Sequence, residues 1–269
     1  MSFKAMKKDR KKSLGALVEA AAKTDNNFSN NDENQWKLTV DKAQNGSAVI
    51  RFLPAPEGED VPWVKTFSHG FKDVGGWMID DCLTTIGKDC PVCERNSKLW
   101  EEGEGSRGRK IVSGHGKESG TKRKQNFFSN IYVVKDSANP ANEGKVFLFK
   151  YGPKIHGFLK DKMNPTFEDD VAVNPFDLWD GATFRLKARK VDGQRNYDSS
   201  SFDEAGPLLD DDDAMEEIYN NMHSLAAMLD PEAFTSYDDM SNRLSKVIGN
   251  VGAPVLTVVE DQEGKGEGS

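Results

Sequence analysis

The residues best suited to chemistry lie between His69 and Cys93. All three cysteines of the 269-residue chain, Cys82, Cys90 and Cys93, fall in this stretch, and one of its four histidines opens it. Two residues separate Cys90 from Cys93, so both thiolates can bind one ion from a single turn of chain. Three sulfurs and one imidazole complete the tetrahedral shell that Zn2+ prefers in structural sites. The spacing therefore predicts one structural Zn2+ on these four residues.

Other interpretations of the cysteines explain less. Unrelated buried thiols would rarely cluster so tightly in a chain of this length. A Cys-Pro-Val-Cys redox pair would open a helix after a strand, and it leaves His69 and Cys82 without a role. A catalytic zinc keeps one coordination position open for water, whereas four protein ligands leave none. A structural metal, bound as the thiols lose their protons, fits best.

Charge is distributed unevenly along the chain. The net charge is −8, yet residues 1–23 have seven basic and two acidic side chains, and residues 203–269 have three basic and sixteen acidic ones. A basic end and an acidic end around a neutral middle indicate segments that bind a partner or each other. Solvated ends would show the same charges, so the pattern alone leaves both interpretations open.

The apolar residues predict a chain that neither spans a membrane nor is secreted. No apolar run approaches the length of about 18 residues that a transmembrane helix needs, and no segment resembles a signal peptide. Three cysteines with the spacing of metal ligands are typical of a protein in a reducing cytoplasm.

The elements that must position the ligands are mainly strands. Residues 36–40 and 47–54 flank the turn signal Asn45-Gly46, which predicts a hairpin. Alternation in the second run places Arg51 on the opposite face from Phe52. Further strand patterns cover residues 63–67, 131–136, 145–151 and 183–191, whereas residues 101–120 are rich in Gly, Ser and charge and predict a long loop.

The C-terminal part is predicted to be helical. Apolar residues from Met215 to Leu229 follow helical spacing. Ser236 and Asp239 form a capping-box pattern before a further helix, which Gly249 stops. Together with the strands, this predicts a mainly β protein with accessory helices.

A basic segment runs directly into aromatic strands. Residues 107–124 have seven basic and one acidic side chain, an electrostatic footprint for phosphate. Aromatic residues on strands are more often core, but bases stack on exposed rings while cations follow the phosphates. The repeated pairing of rings and cations therefore indicates single-stranded nucleic acid. The residues with this pattern are Lys122, Arg123, Lys124, Phe127, Phe149, Lys150, Tyr151, Lys187, Arg189 and Tyr197.

The order of these motifs along the chain resembles that in the single-stranded DNA-binding (helix-destabilising) proteins of T-even-type bacteriophages. The resemblance covers about residues 10–250. The matching sequence segments are RKKSLGALVEAAAK, WKLTVDKAQNGSAVIRFLP, HGFK, CPVC, KRK before FF, NIYVVKD, NEGKVF and NYDSSSF. It implies an OB-type β-barrel core with a zinc-binding subdomain and a helical C-terminal part.

The resemblance also implies a function. The chain would be a non-enzymatic protein that coats single-stranded DNA cooperatively, without sequence preference, and destabilises duplexes in phage replication, recombination and repair. It would act in the cytoplasm of the infected bacterial host. Its partners would be single-stranded DNA, neighbouring protomers and, through the acidic C-terminal part, replication and recombination proteins.

Residue roles follow from the same resemblance. The zinc ligands fall on the four residues named above, and the motif for contact between protomers falls on Arg10, Lys11, Lys12 and Ser13. The DNA-facing positions of the family match Arg51, Trp100, Lys122, Arg123, Lys124, Phe127, Phe149 and Tyr197.

The chain is accordingly divided into an N-terminal arm and helix (1–23), a DNA-binding core (24–250) and a short polar, acidic tail (251–269). The zinc subdomain occupies about residues 63–100 of the core. Two other classes of function stay open, a zinc-dependent nuclease or phosphoesterase and a zinc-ribbon adaptor that binds an acidic protein. The enzyme would need an open metal with carboxylates or histidines, and His115, His156 and His223 lie far apart in sequence.

Overall fold

The computed structural model describes residues 34–249 except 116–117 and 168. The predicted arm and helix of residues 1–23 and the predicted tail of residues 251–269 lie outside the described residues. The described chain is mainly β-sheet with helices, as the sequence predicts. None of its helices is long and apolar enough to cross a membrane.

Strands with three α-helices between them form the described chain up to Ala205, and the elements after that residue are all helical. The strands are β1 (Gln35–Trp36), β2 (Gly46–Phe52), β3 (Val64–Asp73), β4 (Gly76–Asp81), β5 (Gly114–His115), β6 (Glu118–Ser119), β7 (Lys124–Lys135), β8 (Val146–Tyr151), β9 (Ala182–Val191), β10 (Gln194–Asn196) and β11 (Ser201–Ala205). The α-helices are α1 (Pro91–Glu101), α2 (Arg107–Ser113), α3 (Pro153–Met163), α4 (Asp212–Asn220) and α5 (Tyr237–Val247). Short 3-10 helices span Leu83–Ile86, Pro140–Asn142, Ala226–Leu229 and Pro231–Ala233.

The strand β7 joins the two halves of the main sheet. One edge of β7 pairs with β8. The other edge pairs with β3 near its start and with β2 near its end. Because successive side chains of a strand point to opposite faces, Phe127 and Phe128 enter different cores.

Two hydrophobic cores therefore share β7. The first core lies between the sheet and α3, and its largest members are Trp36, Phe52, Trp63, Phe127, Phe149, Tyr151, Phe176 and Phe184. The second core lies between the β3–β4 hairpin, the start of α1 and α5, and includes Phe67, Phe71, Met78, Phe128, Phe234, Met240 and Leu244.

The hairpin predicted around Asn45-Gly46 is wrong. The strand before the turn is only β1, and it pairs in parallel with β8 instead of with β2. The Trp36 indole N–H donates to Asp136 at 2.9 Å, and its ring packs edge-on against Phe149. These contacts with distant residues outweigh the local turn signal and hold β1 at the β8 edge.

The long loop predicted for residues 101–120 is also corrected. Residues Arg107–Ser113 form α2, which Ser106 caps by accepting a hydrogen bond from the Arg109 N–H at 3.1 Å. The guanidinium of Arg109 lies over the Trp100 ring, 4.7 Å from its centroid. Contact with α1 therefore stabilises a helix that composition alone did not predict.

The C-terminal predictions are confirmed in part. Ser236 caps α5 by accepting a hydrogen bond from the Asp239 N–H at 3.1 Å, and the helix ends before Gly249. The predicted helical run to Leu229 is interrupted, because α4 ends at Asn220 and only a 3-10 turn follows.

Arg51 lies inside the protein. It is on the opposite face of β2 from Phe52, as alternation predicts, but only 1% of its surface is exposed. Its Nη2 donates to the carbonyls of Asp177 (2.8 Å) and Gly206 (2.7 Å). Gly181 leaves room for this contact, since a Cβ there would lie 2.7 Å from Nη2. We therefore correct the prediction that Arg51 faces DNA, because distant segments cover its side of the sheet.

Candidate metal centre and nucleic-acid interface

One imidazole and three sulfurs converge at the open end of the β3–β4 hairpin, away from its turn. His69 Nε2 lies 3.4 Å from Cys90 Sγ and 3.7 Å from Cys93 Sγ, and Cys82 Sγ lies 3.4 Å from Cys93 Sγ. All four atoms lie within 4.8 Å of one another. Three of the residues are buried and Cys93 is half-buried. The sequence-predicted ligand set is thus brought together by the fold.

Local structure explains why the four residues meet. His69 is in β3, and Cys82 follows β4, the strand that pairs with it. A 3-10 turn then reverses the chain, with Gly87 in the left-handed conformation that glycine favours (φ 67°). Cys90 is the N-cap residue of α1, and Cys93 lies in the first turn of the helix. The two-residue gap therefore places both sulfurs at one helix end.

The four donors fit a tetrahedral ion. Zinc bonds of about 2.3 Å to sulfur and about 2.0–2.1 Å to nitrogen imply donor separations of roughly 3.5–3.8 Å, close to the distances here. Hydrogen bonds from Cys90, Cys93 and Thr84 lower the pKa of the Cys82 thiol, although burial opposes them. Hydrogen bonds with Cys82 and Cys90, together with burial, raise the pKa of the Cys93 thiol. The three thiols therefore share protons, which a bound metal would displace.

Three predicted DNA-facing aromatic residues belong to the first core. The Phe127 ring stacks on His156 with centroids 3.8 Å apart. Phe149 contacts Trp36, and the Tyr151 hydroxyl is 2.9 Å from Ser129 Oγ. No more than 5% of Phe127, Phe149 or Tyr151 is exposed. We correct these three assignments, since buried rings have no face available for a base.

Arg123 extends from the metal cluster onto the protein surface. Its Nη1 donates to Thr84 Oγ1 at 2.5 Å, and the same oxygen lies 3.1 Å from Cys82 Sγ. The guanidinium carbon lies 3.9 Å from the centroid of the Phe67 ring. The Lys65 ammonium lies over that ring as well, at 5.3 Å. The turn beside the candidate ligand Cys82 therefore also positions a predicted DNA-contacting cation.

Further cations lie on α3 or act on its residues. Burial, followed by the charges of Lys160 and Lys65, lowers the pKa of His156 on α3 to about 4. Lys154, six residues before Lys160 on α3, forms an ion pair with Asp198 at 2.5 Å. The charge of Arg189 also acts on Asp198. We call the set Arg189, Lys154, Lys160, Lys65 and Arg123 the cationic track.

The other predicted DNA-contacting residues lie in different surroundings. Trp100 is 45% exposed, with Arg109 over its ring. Tyr197 is half-buried against the first core. Lys150 lies over the Phe128 ring, on the side of β7 away from Phe127. Lys122, Lys124 and Lys187 are exposed.

Sequence reasoning missed Lys65, Lys160 and Thr84. None of them lies in a basic cluster of the sequence, and each gains its neighbours only from folding. Thr84 is two residues from a predicted ligand, and this proximity was the only local signal.

The fold and the site define a class of mainly β protein in which a Cys3His cluster lies beside a basic surface. The family model described as "gp32 DNA binding protein like" matches residues 44–248. The chain belongs to this family.

Similar proteins occur in bacteriophages. The "Single-stranded DNA-binding protein" of Enterobacteria phage T2 is 39% identical over 253 residues, which are 89% of this chain and 79% of the relative. The protein of the same description from Enterobacteria phage T4 is 38% identical over 252 residues, with the same coverage. That of Escherichia phage SV14 is 44% identical over 94 residues, which are 33% of this chain and 83% of the relative.

Replacing His69 by alanine should weaken metal binding at least about tenfold, because losing even a residue that supports a ligand costs about 10–100-fold. Titration of metal-free protein with Co2+, followed by the visible absorption of tetrahedral thiolate-bound Co2+, measures this change. His115→Ala is the matched control, since His115 is exposed and outside the cluster. Equal Co2+ affinity of His69→Ala and the wild type would contradict the ligand assignment.

Proposed function

We propose that this chain is a non-enzymatic single-stranded DNA-binding protein that coats DNA without sequence preference. The exposed cation Arg123 beside the Cys3His cluster, together with Lys65 over the same Phe67 ring, is the observation on which this proposal rests most directly. Relatives described as single-stranded DNA-binding proteins, which align with 89% of the chain, support the same function. Coating would remove single strands from the duplex equilibrium and so destabilise duplexes by mass action.

In this proposal the phosphates of the strand follow the track from Arg189 to Arg123. Electrostatic contacts with phosphates contain no sequence information, which suits a protein that must bind any strand. Lys122, Lys124 and Lys187 would add charge beside the track. Stacking on an aromatic side chain contributes about 1–3 kcal/mol per base. Trp100 and Tyr197 are the predicted rings that retain exposed surface for this purpose.

We propose that the Cys3His cluster holds one structural Zn2+. When bound, the ion would crosslink β3, the turn after β4 and the start of α1. With four protein donors no coordination position stays open for water, so the site would be closed. Thr84 would then be held beside Cys82, and its hydroxyl would keep Arg123 directed along the surface.

We also propose that the fold is divided into a barrel and a zinc subdomain. The sheet around the first core would be the OB-type barrel, and about residues 63–100 would be the zinc subdomain. The shared strand β7 and the two separate cores support this division. The core would extend over residues 24–250, followed by the tail of residues 251–269.

The alternative functions receive less support. In the part of the chain that the structure describes, one group of His, Cys, Asp or Glu side chains is placed to hold an ion, and that group is the Cys3His cluster. A nuclease would need a metal with an open position, and His156 is instead buried against Phe127. An adaptor for acidic proteins would use the basic surface but would not need exposed rings beside it.

The role in the phage cycle follows from the proposed activity. A protein that coats single strands would serve replication, recombination and repair in the cytoplasm of the infected host. Its acidic C-terminal part would bind replication and recombination proteins.

Replacing Arg123 by glutamine should weaken binding to single-stranded DNA and flatten its salt dependence. The slope of log affinity against log salt should become less steep by about 0.7, the contribution of one neutralised phosphate. Titration of tryptophan fluorescence with a homopolymeric oligonucleotide at several salt concentrations measures both changes, and a duplex of equal length should not quench.

Lys135→Gln is the matched control, because Lys135 is an exposed cation at the opposite end of β7, paired with Glu143 at 3.4 Å. Its slope should equal that of the wild type. The proposed track would be refuted if Arg123→Gln kept the wild-type slope, or if both variants lost the same amount.

We further propose that residues 1–23, with the motif Arg10 to Ser13, bind a neighbouring protomer on the strand. Deleting residues 1–23 should abolish cooperative binding to long single strands while the affinity for a short oligonucleotide stays nearly constant. Comparing the two titrations tests this role, and unchanged cooperativity of the shortened protein would exclude it.

A further inference from the structure

One face of the β3–β4 hairpin exposes two large apolar side chains of β4. Trp77 is 58% exposed and Ile79 is 62% exposed. They are two residues apart on the strand and therefore point to the same side of the sheet. The helix α5 packs on the opposite side, where Met78 is buried and Asp80 accepts a hydrogen bond from Arg243 at 3.0 Å. We call the side with Trp77 and Ile79 the outer face of the hairpin.

Lysines lie beside the Trp77 ring on the outer face. In the register of the hairpin, Trp77 lies opposite Lys72, which is exposed. Ile79 lies opposite Gly70, whose carbonyl accepts a hydrogen bond from the Lys124 ammonium at 3.0 Å. The ring therefore has one cation beside it in the hairpin and a second one on the neighbouring strand β7.

Gly70 leaves a shallow gap between these side chains. Among the described residues, a Cβ added at Gly70 would meet only Lys124 Nζ within 4 Å, at 3.5 Å. The space above Gly70 is thus open, with Ile79 on one side and Lys124 on the other. A flat ring stacked beside Trp77 would find room there.

One carboxylate on the outer face reduces the positive charge without cancelling it. Asp81 is two residues beyond Ile79 on β4, so it shares this face. The charge of Lys150 acts on Asp81, and the Lys150 ammonium lies over the Phe128 ring on this side of β7. Three lysines against one carboxylate make the outer face suited to an anionic partner.

The outer face adjoins the cationic track at the start of β7. Lys124 pairs with Ser68 of β3, which places its side chain on the outer face. Arg123 lies over the ring of Phe67, the residue before Ser68, whose side chain points to the other face. The consecutive cations Arg123 and Lys124 therefore connect the two surfaces around the start of β7.

We propose that a single strand bound to the cationic track passes around the start of β7 and continues over the outer face, where Trp77 stacks on a base. Phosphates on either side of that base would contact Lys72 and Lys124. The inference rests on the proposed function and adds to it a second surface and a stacking residue. Rings placed among cations hold single strands without sequence preference.

Other occupants of the outer face are less well matched. A second copy of the chain would bring like charges together if the two outer faces met, and such contacts are unfavourable. A separate acidic protein would have to bind from solution. A strand that is already held by the track reaches the outer face at a high effective concentration.

Oligonucleotides of increasing length test this path. Affinity would be measured by the anisotropy of labelled homopolymers, at lengths that bind one full-length protein. The shortest length at which Arg123→Gln binds more weakly than the wild type defines an oligonucleotide that covers the track. Trp77→Ala should bind this oligonucleotide as the wild type does, and the longest one at least about fivefold more weakly, the effect of losing one stacked base. Equal affinity of Trp77→Ala and the wild type at every length would overturn the proposal.

Two further variants serve as controls for the Trp77 substitution. Trp77→Phe keeps a ring and should lose less affinity than Trp77→Ala. Val134→Ser, which removes an exposed apolar side chain towards the far end of β7, should equal the wild type at every length. The visible absorption of bound Co2+ verifies that each variant keeps the Cys3His cluster. Equal losses in Trp77→Ala and Val134→Ser would contradict stacking on Trp77.

The salt dependence of Lys72→Gln tests the phosphate contact separately. For the longest oligonucleotide, the slope of log affinity against log salt should become less steep by about 0.7. For the oligonucleotide that covers only the track, the slope should stay at the wild-type value. A wild-type slope at both lengths would remove Lys72 from the path.

Photocrosslinking locates the base directly. The wild type would be irradiated with a long oligonucleotide that contains 5-iodouracil, and the crosslinked peptides would be identified by mass spectrometry. We expect a crosslink at Trp77, and crosslinks confined to other residues would overturn the path. If Arg123→Gln weakened binding while Trp77→Ala did not, this path would fail and the proposed function would stand. If the wild type bound no oligonucleotide at any length, both would fail.

Discussion

The hydrogen bond between Arg123 and Thr84 connects the metal cluster to the surface where charge is concentrated. Thr84 Oγ1 lies 3.1 Å from Cys82 Sγ and accepts from Arg123 at 2.5 Å. Arg123 comes immediately before β7, the strand that both cores share. The turn next to a candidate ligand therefore also fixes the direction of Arg123, the cation that precedes the strand. We infer that the candidate DNA surface depends on the geometry of the cluster.

The arrangement of β7 explains how the Cys3His cluster can affect the rest of the sheet. Phe127 and Phe128 are adjacent in sequence, yet each belongs to a different core. A shift of the β3–β4 hairpin would move Lys65 on β3 and, with the start of β7, Arg123, both relative to the cations on α3. The cations on α3 would stay in place, because α3 packs in the first core through Ile155 and Leu159. The proposed track thus spans two hydrophobic cores that share one strand.

The sequence predicted the cluster because its signal is local and chemically specific. Three of the four candidate ligands lie within twelve residues. Such a spacing of cysteines near a histidine has few explanations other than a metal site. The assignments of Arg51, Phe127 and Phe149 needed correction for a different reason. Alternation in a strand indicates which residues share a face, but it does not indicate what covers that face. Distant parts of the chain cover both faces here, which no local pattern could predict. The predicted Asn45-Gly46 hairpin is wrong for the same reason, since Trp36 is held by Asp136, a hundred residues away.

Removal and restoration of the metal test the central claim most directly. The salt dependence of oligonucleotide binding would be measured on wild-type protein before chelation, after chelation and after one equivalent of Zn2+ is returned. Tryptophan fluorescence would verify that the metal-free protein remains folded. If the cluster directs Arg123, the slope of log affinity against log salt should become less steep in the folded metal-free protein, by the contribution of about one phosphate contact. Returning zinc should restore the original slope. A folded metal-free protein with an unchanged slope and affinity would contradict the account.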